Sequence, residues 1–179
     1  MLDKLLQGVE VRSLVGDGTV AVGRLEFDSR KVVPGTLFFA TRGTQADGHA
    51  YIPAAVAAGA AAVVCEELPA ERPVGVTFVQ VPDSTVALGQ VASAFYGHPS
   101  RRLKLVGVTG TNGKTTTATL LYRMFRRLGY KAGLISTVVY CVDDREIPST
   151  HTTPDSIRLN AMMAEMVEAG CDYCFMEVS

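Results

Sequence analysis

Residues Leu103–Thr117 read LKLVGVTGTNGKTTT, and the architecture follows from this run. Leu103, Leu105, Val106 and Val108 give a short apolar stretch that predicts a buried parallel strand. Thr109 to Gly113 turn the chain, and Lys114 opens a helix running through Thr116, Leu120, Leu121, Met124 and Phe125. A strand, a glycine turn and a helix beginning at Lys-Thr make a phosphate cradle. The glycines let backbone N–H groups approach an anion, and the helix N-terminus adds the positive end of its dipole. Lys114 can reach terminal phosphates, and the Thr115 hydroxyl can ligate Mg²⁺. The competing reading is an ordinary glycine-rich turn between strand and helix. It accounts less well for strand, turn, Lys-Thr and helix all falling in order.

The common phosphate loop has a glycine five residues before its second glycine, where this chain has Val108. Here the loop glycines are Gly110 and Gly113, with Gly107 further back. The loop is a variant.

Length and composition bound what surrounds it. The 179 residues suit one domain or two small ones, and 47% hydrophobic content is ample for a core. No apolar run approaches membrane-spanning length, and MLDKLLQGVE at the start lacks a basic segment followed by a long apolar one. A net charge of −1, with no basic stripe interleaved with aromatics, argues against a nucleic-acid surface. The expectation is a soluble, cytoplasmic, monomeric α/β protein with no membrane or nucleic-acid partner. Cys171 and Cys174 form a CxxC, but Cys65 and Cys141 stand alone. Without a second CxxC, buried reduced thiols are the favoured account.

From the start, Leu2, Leu5 and Leu6 suggest a short helix, and Arg24–Phe27 a strand ending in Asp28-Ser29-Arg30. Pro34-Gly35 turn into the strand Thr36–Ala40, followed by the small, polar loop Thr41–Gly48. His49–Ala58 reads as a helix, Ala60–Cys65 and Val76–Val81 as buried strands, and Asp83 or Ser84 as the cap of the next helix. Gly97-His98-Pro99-Ser100 breaks that helix, which puts a domain boundary between residues 1–100 and 101–179. Beyond the phosphate loop, Gly129 stops its helix, Lys131–Thr137 is a strand, and Tyr140–Ser149 is a hairpin or loop. Thr153 as N-cap, Pro154 and Asp155 start a helix carrying Met162, Met163 and Met166, which are core by their spacing. Tyr173–Val178 is a final strand. Strand and helix alternate as in a doubly wound parallel sheet. Glu177 lies in this last apolar strand, where a carboxylate is costly unless paired or bound to metal. Its place near the carboxyl end of a parallel strand is where open α/β sheets bind ligands. That favours Glu177 as a Mg²⁺ ligand beside Thr115.

Gly-Thr-Asn-Gly-Lys-Thr-Thr resembles the ATP loop of the Mur ligase family. The match widens to Asp28-Ser29-Arg30, Gly43, Ala46-Asp47-Gly48-His49 with Tyr51-Ile52, Thr152-Thr153-Pro154 and Met176-Glu177-Val178-Ser179. In that order the motifs resemble the MurE type, the UDP-N-acetylmuramoyl-tripeptide synthetases. The resemblance implies a small UDP-binding α/β domain followed by the start of a parallel-sheet ATPase domain. It implies that Gly110, Thr111, Asn112, Gly113, Lys114, Thr115 and Thr116 bind ATP, with Mg²⁺ as cofactor. Ser29, Thr44, Gln45 and Ala46 would contact the UDP part of the substrate, and Thr152, Thr153 and Ser179 its muramoyl-peptide part. Thr44 stands where many relatives have His, and His151 where the family often has Asn. Lys114 and Glu177 would serve the chemistry directly.

The reaction so implied is ATP-dependent amide formation. A γ-phosphoryl group activates the carboxylate of UDP-MurNAc-L-Ala-D-Glu, and the amine of an incoming amino acid, diaminopimelate or lysine, displaces phosphate. Members of the family continue well past Ser179, so the resemblance further implies the front part of a longer enzyme, inactive as a ligase by itself. Two other classes stay open. One is a different ligase of the superfamily, of MurF or folylpolyglutamate synthetase type. The other is a non-catalytic UDP-sugar or nucleotide-binding module. The resemblance also implies that the residues selecting the amino acid lie beyond Ser179.

Overall fold

A computed structural model describes residues 1–43, 46–149 and 154–178. The chain divides into two compact units, Met1–Ala94 and Phe95–Ser179.

The first unit is a five-stranded sheet with strands β1 (Ser13–Val15), β2 (Arg24–Glu26), β3 (Thr36–Phe39), β4 (Ala60–Cys65) and β5 (Thr77–Gln80). Their order is β1-β5-β4-β3-β2. β2 to β5 run parallel, and β1 pairs antiparallel with β5. Helices α1 (Leu2–Leu5), α2 (Ile52–Ala57) and α3 (Ser84–Phe95) complete it. Phe38, Val63 and Phe78 from three neighbouring strands pack with Ile52 and Ala55 of α2. β3 is buried along its whole length, as an apolar central parallel strand must be. Asp83 caps α3 by accepting from the Thr85 and Val86 N–H groups at 2.8 and 2.9 Å.

The second unit carries β6 (Lys104–Val108), α4 (Lys114–Arg127), β7 (Ala132–Ile135), β8 (Val139–Val142), β9 (Arg145–Pro148), α5 (Ser156–Glu168) and β10 (Tyr173–Glu177). The sheet order is β6-β10-β7-β8-β9. β6, β10 and β7 are parallel, with β10 between the other two, and β8 and β9 form an antiparallel hairpin beside β7. Alternation along β10 divides two cores. Cys174 and Met176 join Met162, Met163 and Met166 of α5, while Phe175 joins Ala118 of α4 on the opposite face. The helix α4 ends in a tight cap, the Gly129 and Tyr130 N–H groups returning to the Arg126 and Phe125 carbonyls at 3.1 Å each.

Four local expectations change. The strand before the glycine loop, β6, lies at the edge of the sheet formed by the described residues, with Leu105 41% exposed, because β10 pairs along only one of its sides. Its apolar residues suit burial, yet sheet order decides exposure. The N-cap of α5 is Asp155, which accepts from the Arg158 N–H at 2.9 Å. Pro154 precedes it, and Thr153 lies outside the described residues. The stretch from His49 is a 3₁₀ turn over Gly48–Tyr51 before α2 proper, since Asp47 caps it by accepting from the His49 N–H. Strand β1 was not foreseen: three residues, Ser13–Val15, carry no periodicity to read.

Candidate functional site

In the first unit a cleft of about 690 Å³ opens at the carboxyl ends of β2 and β3. Phe27, Ser29 and Arg30 form one wall, and Thr41, Gly43, Ala46 and Gly48 the other, with Tyr51 beside them. The first wall is a 3₁₀ turn, Ser29–Lys31, capped by Asp28. Asp28 accepts from the Arg30 backbone N–H at 3.1 Å and from its guanidinium at 2.9 and 2.8 Å. That guanidinium holds the Asp28 carboxyl down to about 2. Asp28-Ser29-Arg30 is therefore a built turn that sets the Ser29 side chain at the cleft.

The second wall is folded on itself. The Gly48 N–H donates to the Thr41 carbonyl at 2.8 Å, and the Gly43 N–H to the Ala46 carbonyl at 3.0 Å. A Cβ on Gly48 would sit 2.6 Å from the Thr41 oxygen, so this close approach requires glycine. Ser29 and Ala46, both expected at a substrate site, face one cleft. Thr44 and Gln45 lie outside the described residues.

The His49 ring is tied on both sides. Nδ1 lies 2.6 Å from an Asp47 carboxylate oxygen, and Nε2 accepts from the Glu66 and Glu67 N–H groups at 2.9 and 3.3 Å. Its side chain is 15% exposed. No periodicity signals such a role, and the one local sign is its place in the Ala46-Asp47-Gly48-His49 motif.

In the second unit the loop Thr109–Gly113 joins β6 to α4. Gly110 and Gly113 have φ of +142° and +79°, conformations open to glycine and costly for other residues. Lys114 opens α4, and its ammonium donates to the Gly110 carbonyl at 2.6 Å, spanning the loop. Thr111, Asn112 and Thr116 are exposed, and Thr115 is half-buried at the helix start.

Glu177 lies at the carboxyl end of β10, paired in register with Val108, the residue just before the loop. It is 1% exposed. The Thr137 N–H donates to one carboxylate oxygen at 3.0 Å and the Thr137 hydroxyl to the other at 2.9 Å. The carboxylate does not emerge into solvent at the strand end. Thr137, just past β7, went unnoticed in the sequence because it acts through a partner forty residues away. Thr152, Thr153 and Ser179 lie outside the described residues, as does His151.

All four cysteines are buried and free. Burial pushes the Cys65 thiol up to about 11 and the Cys174 thiol to about 12, so neither supplies a thiolate near neutrality. Among the described residues no helix is long and apolar enough to cross a membrane.

A strand–loop–helix with Gly110, Gly113 and Lys114, and a separate cleft holding Ser29, narrow the family. Two family models divide the sequence along the same lines: "Mur ligase family, catalytic domain" over residues 22–96 and "Mur ligase middle domain" over residues 108–179. The chain belongs to the Mur ligase family. The UDP-N-acetylmuramoyl-L-alanyl-D-glutamate–2,6-diaminopimelate ligase of Bacteroides thetaiotaomicron is 53% identical over 179 residues, which is 100% of this chain and 37% of that protein. The ligase of the same name from Bacteroides fragilis is 56% identical over 178 residues, 99% of this chain and 37% of that protein. A solved structure of another ligase so named has the same fold, with a TM-score of 0.71 at 24% identity over 88% of this chain and 32% of that one. This Mur ligase chain thus spans 37% of the length of these curated relatives.

Proposed function

We propose that this Mur ligase chain binds the two nucleotides of a MurE-type reaction, the uridine diphosphate of the acceptor in its first unit and ATP in its second. The full reaction is ATP-dependent addition of diaminopimelate to UDP-MurNAc-L-Ala-D-Glu in the cytoplasm, within peptidoglycan precursor synthesis. The observation that carries the ATP assignment is the glycine loop before α4, with Lys114 bridging it to the Gly110 carbonyl. The choice of the MurE type, and of diaminopimelate over lysine, rests on the names of relatives 53 and 56% identical. The fold leaves a MurF-type ligase open.

In this reading Ser29, Thr44, Gln45 and Ala46 hold the uridine end, and Thr152, Thr153 and Ser179 the muramoyl-peptide end. Gly110 to Thr116 hold ATP. The loop N–H groups and the α4 dipole neutralise the phosphate chain, and the Lys114 ammonium moves from the Gly110 carbonyl to the terminal phosphates. The acceptor carboxylate attacks the γ-phosphorus, the bond to the β-phosphate oxygen breaks, and ADP leaves an acyl phosphate. The amine of the amino acid then attacks the acyl carbon, gives up a proton, and phosphate departs. Thr115 and Glu177 fit a magnesium site: both offer hard oxygen donors, and Mg²⁺ commonly takes one or two protein oxygens with phosphate and water completing its shell. When bound, Mg²⁺ would supply further charge neutralisation at the transferring group.

Calorimetric titration of the chain with UDP-MurNAc-L-Ala-D-Glu, and separately with UDP and ADP, tests the reading. Binding of all three, with loss of both uridine ligands and retention of ADP in Ser29→Ala, supports it. A folded chain that binds neither uridine ligand refutes the cleft assignment. The protein at the length of its relatives, supplied with ATP, Mg²⁺ and diaminopimelate, should release ADP and phosphate; release with lysine instead would overturn the choice of amino acid.

A further inference from the structure

We propose that His49 is a positioning residue for the uridine cleft, a latch that fixes the wall formed by Thr41, Gly43, Ala46 and Gly48. This rests on the reading of that cleft as the uridine site.

The argument begins with what each ring nitrogen faces. Glu66 and Glu67 present N–H donors to Nε2, so Nε2 must be the bare acceptor. Nδ1 then carries the proton and donates it to Asp47. One tautomer satisfies all three contacts. The ring therefore joins two chain segments, the 3₁₀ turn after the cleft wall and the stretch leaving β4.

The anchor at Glu66 is itself immobilised. Its carbonyl accepts from the Gln80 side-chain amide at 3.0 Å, and its carboxylate accepts from the Ser84 N–H and hydroxyl at 3.0 and 2.9 Å. Residue 66 is thus bound to the end of β5 and the start of α3. Arg42 adds a second tie from the wall, pairing with Asp47, Glu66 and Glu67. Those ion pairs are half-exposed and weak, whereas the His49 ring is 15% exposed and its bond from the Glu66 N–H is partly buried. Gly48, adjacent to His49, is the residue pressed against Thr41. Fixing the ring fixes Gly48, and Gly48 closes the wall.

Three readouts on the chain test this. In nitrogen-15 spectra of the ring, His49 should be protonated at Nδ1 and bare at Nε2, and the Glu66 and Glu67 amides should exchange slowly. In calorimetry with UDP as probe, His49→Ala should weaken binding about tenfold, the scale of one to two net hydrogen bonds. His49→Gln keeps an acceptor near the Nε2 position and should recover most of that loss. An Nε2-protonated ring, fast exchange at both amides, or wild-type UDP affinity in His49→Ala would each overturn the latch. If His49→Ala does not fold, His49→Gln against wild type, with the ring spectrum, decides. If the wild-type chain binds no UDP, the cleft assignment fails, while the ring tautomer and amide exchange still decide whether His49 is a latch.

Discussion

The Lys114 ammonium donates to the Gly110 carbonyl across 2.6 Å, closing the glycine loop on a contact made within it. The contact is on the surface and exchanges readily for a stronger, charged acceptor. Lys114→Met should therefore leave the fold intact and weaken ADP and ATP binding about 10- to 100-fold, as expected for a lost charge-assisted hydrogen bond. Calorimetry with each nucleotide and a urea melt read the two effects. Unchanged affinity would remove Lys114 from the nucleotide site.

Thr137 and Glu177 make a second pair with a cost on record in the geometry. Both oxygens of a carboxylate 1% exposed are satisfied by one residue, through its N–H and its hydroxyl. Thr137→Val keeps shape and backbone but strips the hydroxyl donor from Oε2. Leaving that oxygen without its partner should cost about 1–3 kcal/mol, visible as a lower urea midpoint, and Thr137→Ser should restore it. Equal midpoints for the Val and Ser variants would contradict the pairing.

Gly133 in β7 faces Met166 of α5 so closely that a Cβ there would lie 2.3 Å from the sulfur and 2.9 Å from Cγ. The clash reaches the base of the methionine side chain, so a rotation of its tip alone gives no relief. Gly133→Ala should destabilise the second unit by about 1–3 kcal/mol, the usual range for overpacking. Combining it with Met166→Ala should cost less than the two singles added together, because the smaller side chain vacates the space. Additive costs in denaturant melts would show that the two positions do not compete for one volume.

These pairs mark where sequence stops being legible. The parallel strands β6, β7 and β10, the loop between β6 and α4, and the methionine core of α5 all show as local runs whose period or order is written in consecutive residues. The cleft half emerges too, since Asp28-Ser29-Arg30 and Ala46 sit in recognisable motifs. Sheet order does not, and so the exposure of Leu105 on an edge strand could not be read from its apolar neighbours. Thr137 and His49 escaped for a related reason: each acts through groups distant along the chain, and a polar residue in a loop carries no period. The cap of α5 was missed by two residues because Thr153, Pro154 and Asp155 each suit a helix start, and only the bond to the Arg158 N–H chooses among them.

The Asp28–Arg30 pair gives the cleft a defined acid limit. Its folded-state carboxyl lies at about 2, below the ordinary 3.8, chiefly through the side-chain hydrogen bond from Arg30. A depressed carboxyl stabilises only while ionised. Its contribution is present in full above the unfolded value and is lost as pH falls from near 3.8 through about 2. The pair is largely in water, so the contribution is small, and the titration midpoint is the sharper observable. Carbon-13 titration of the Asp28 carboxyl should give a midpoint near 2 in the wild type and one moved toward the ordinary value in Arg30→Gln. The stability difference between the two proteins should be constant at neutral pH and vanish in strong acid. An Asp28 midpoint unchanged by Arg30→Gln would mean that the guanidinium does not hold the carboxyl, and the capped turn presenting Ser29 would then depend on the backbone N–H alone.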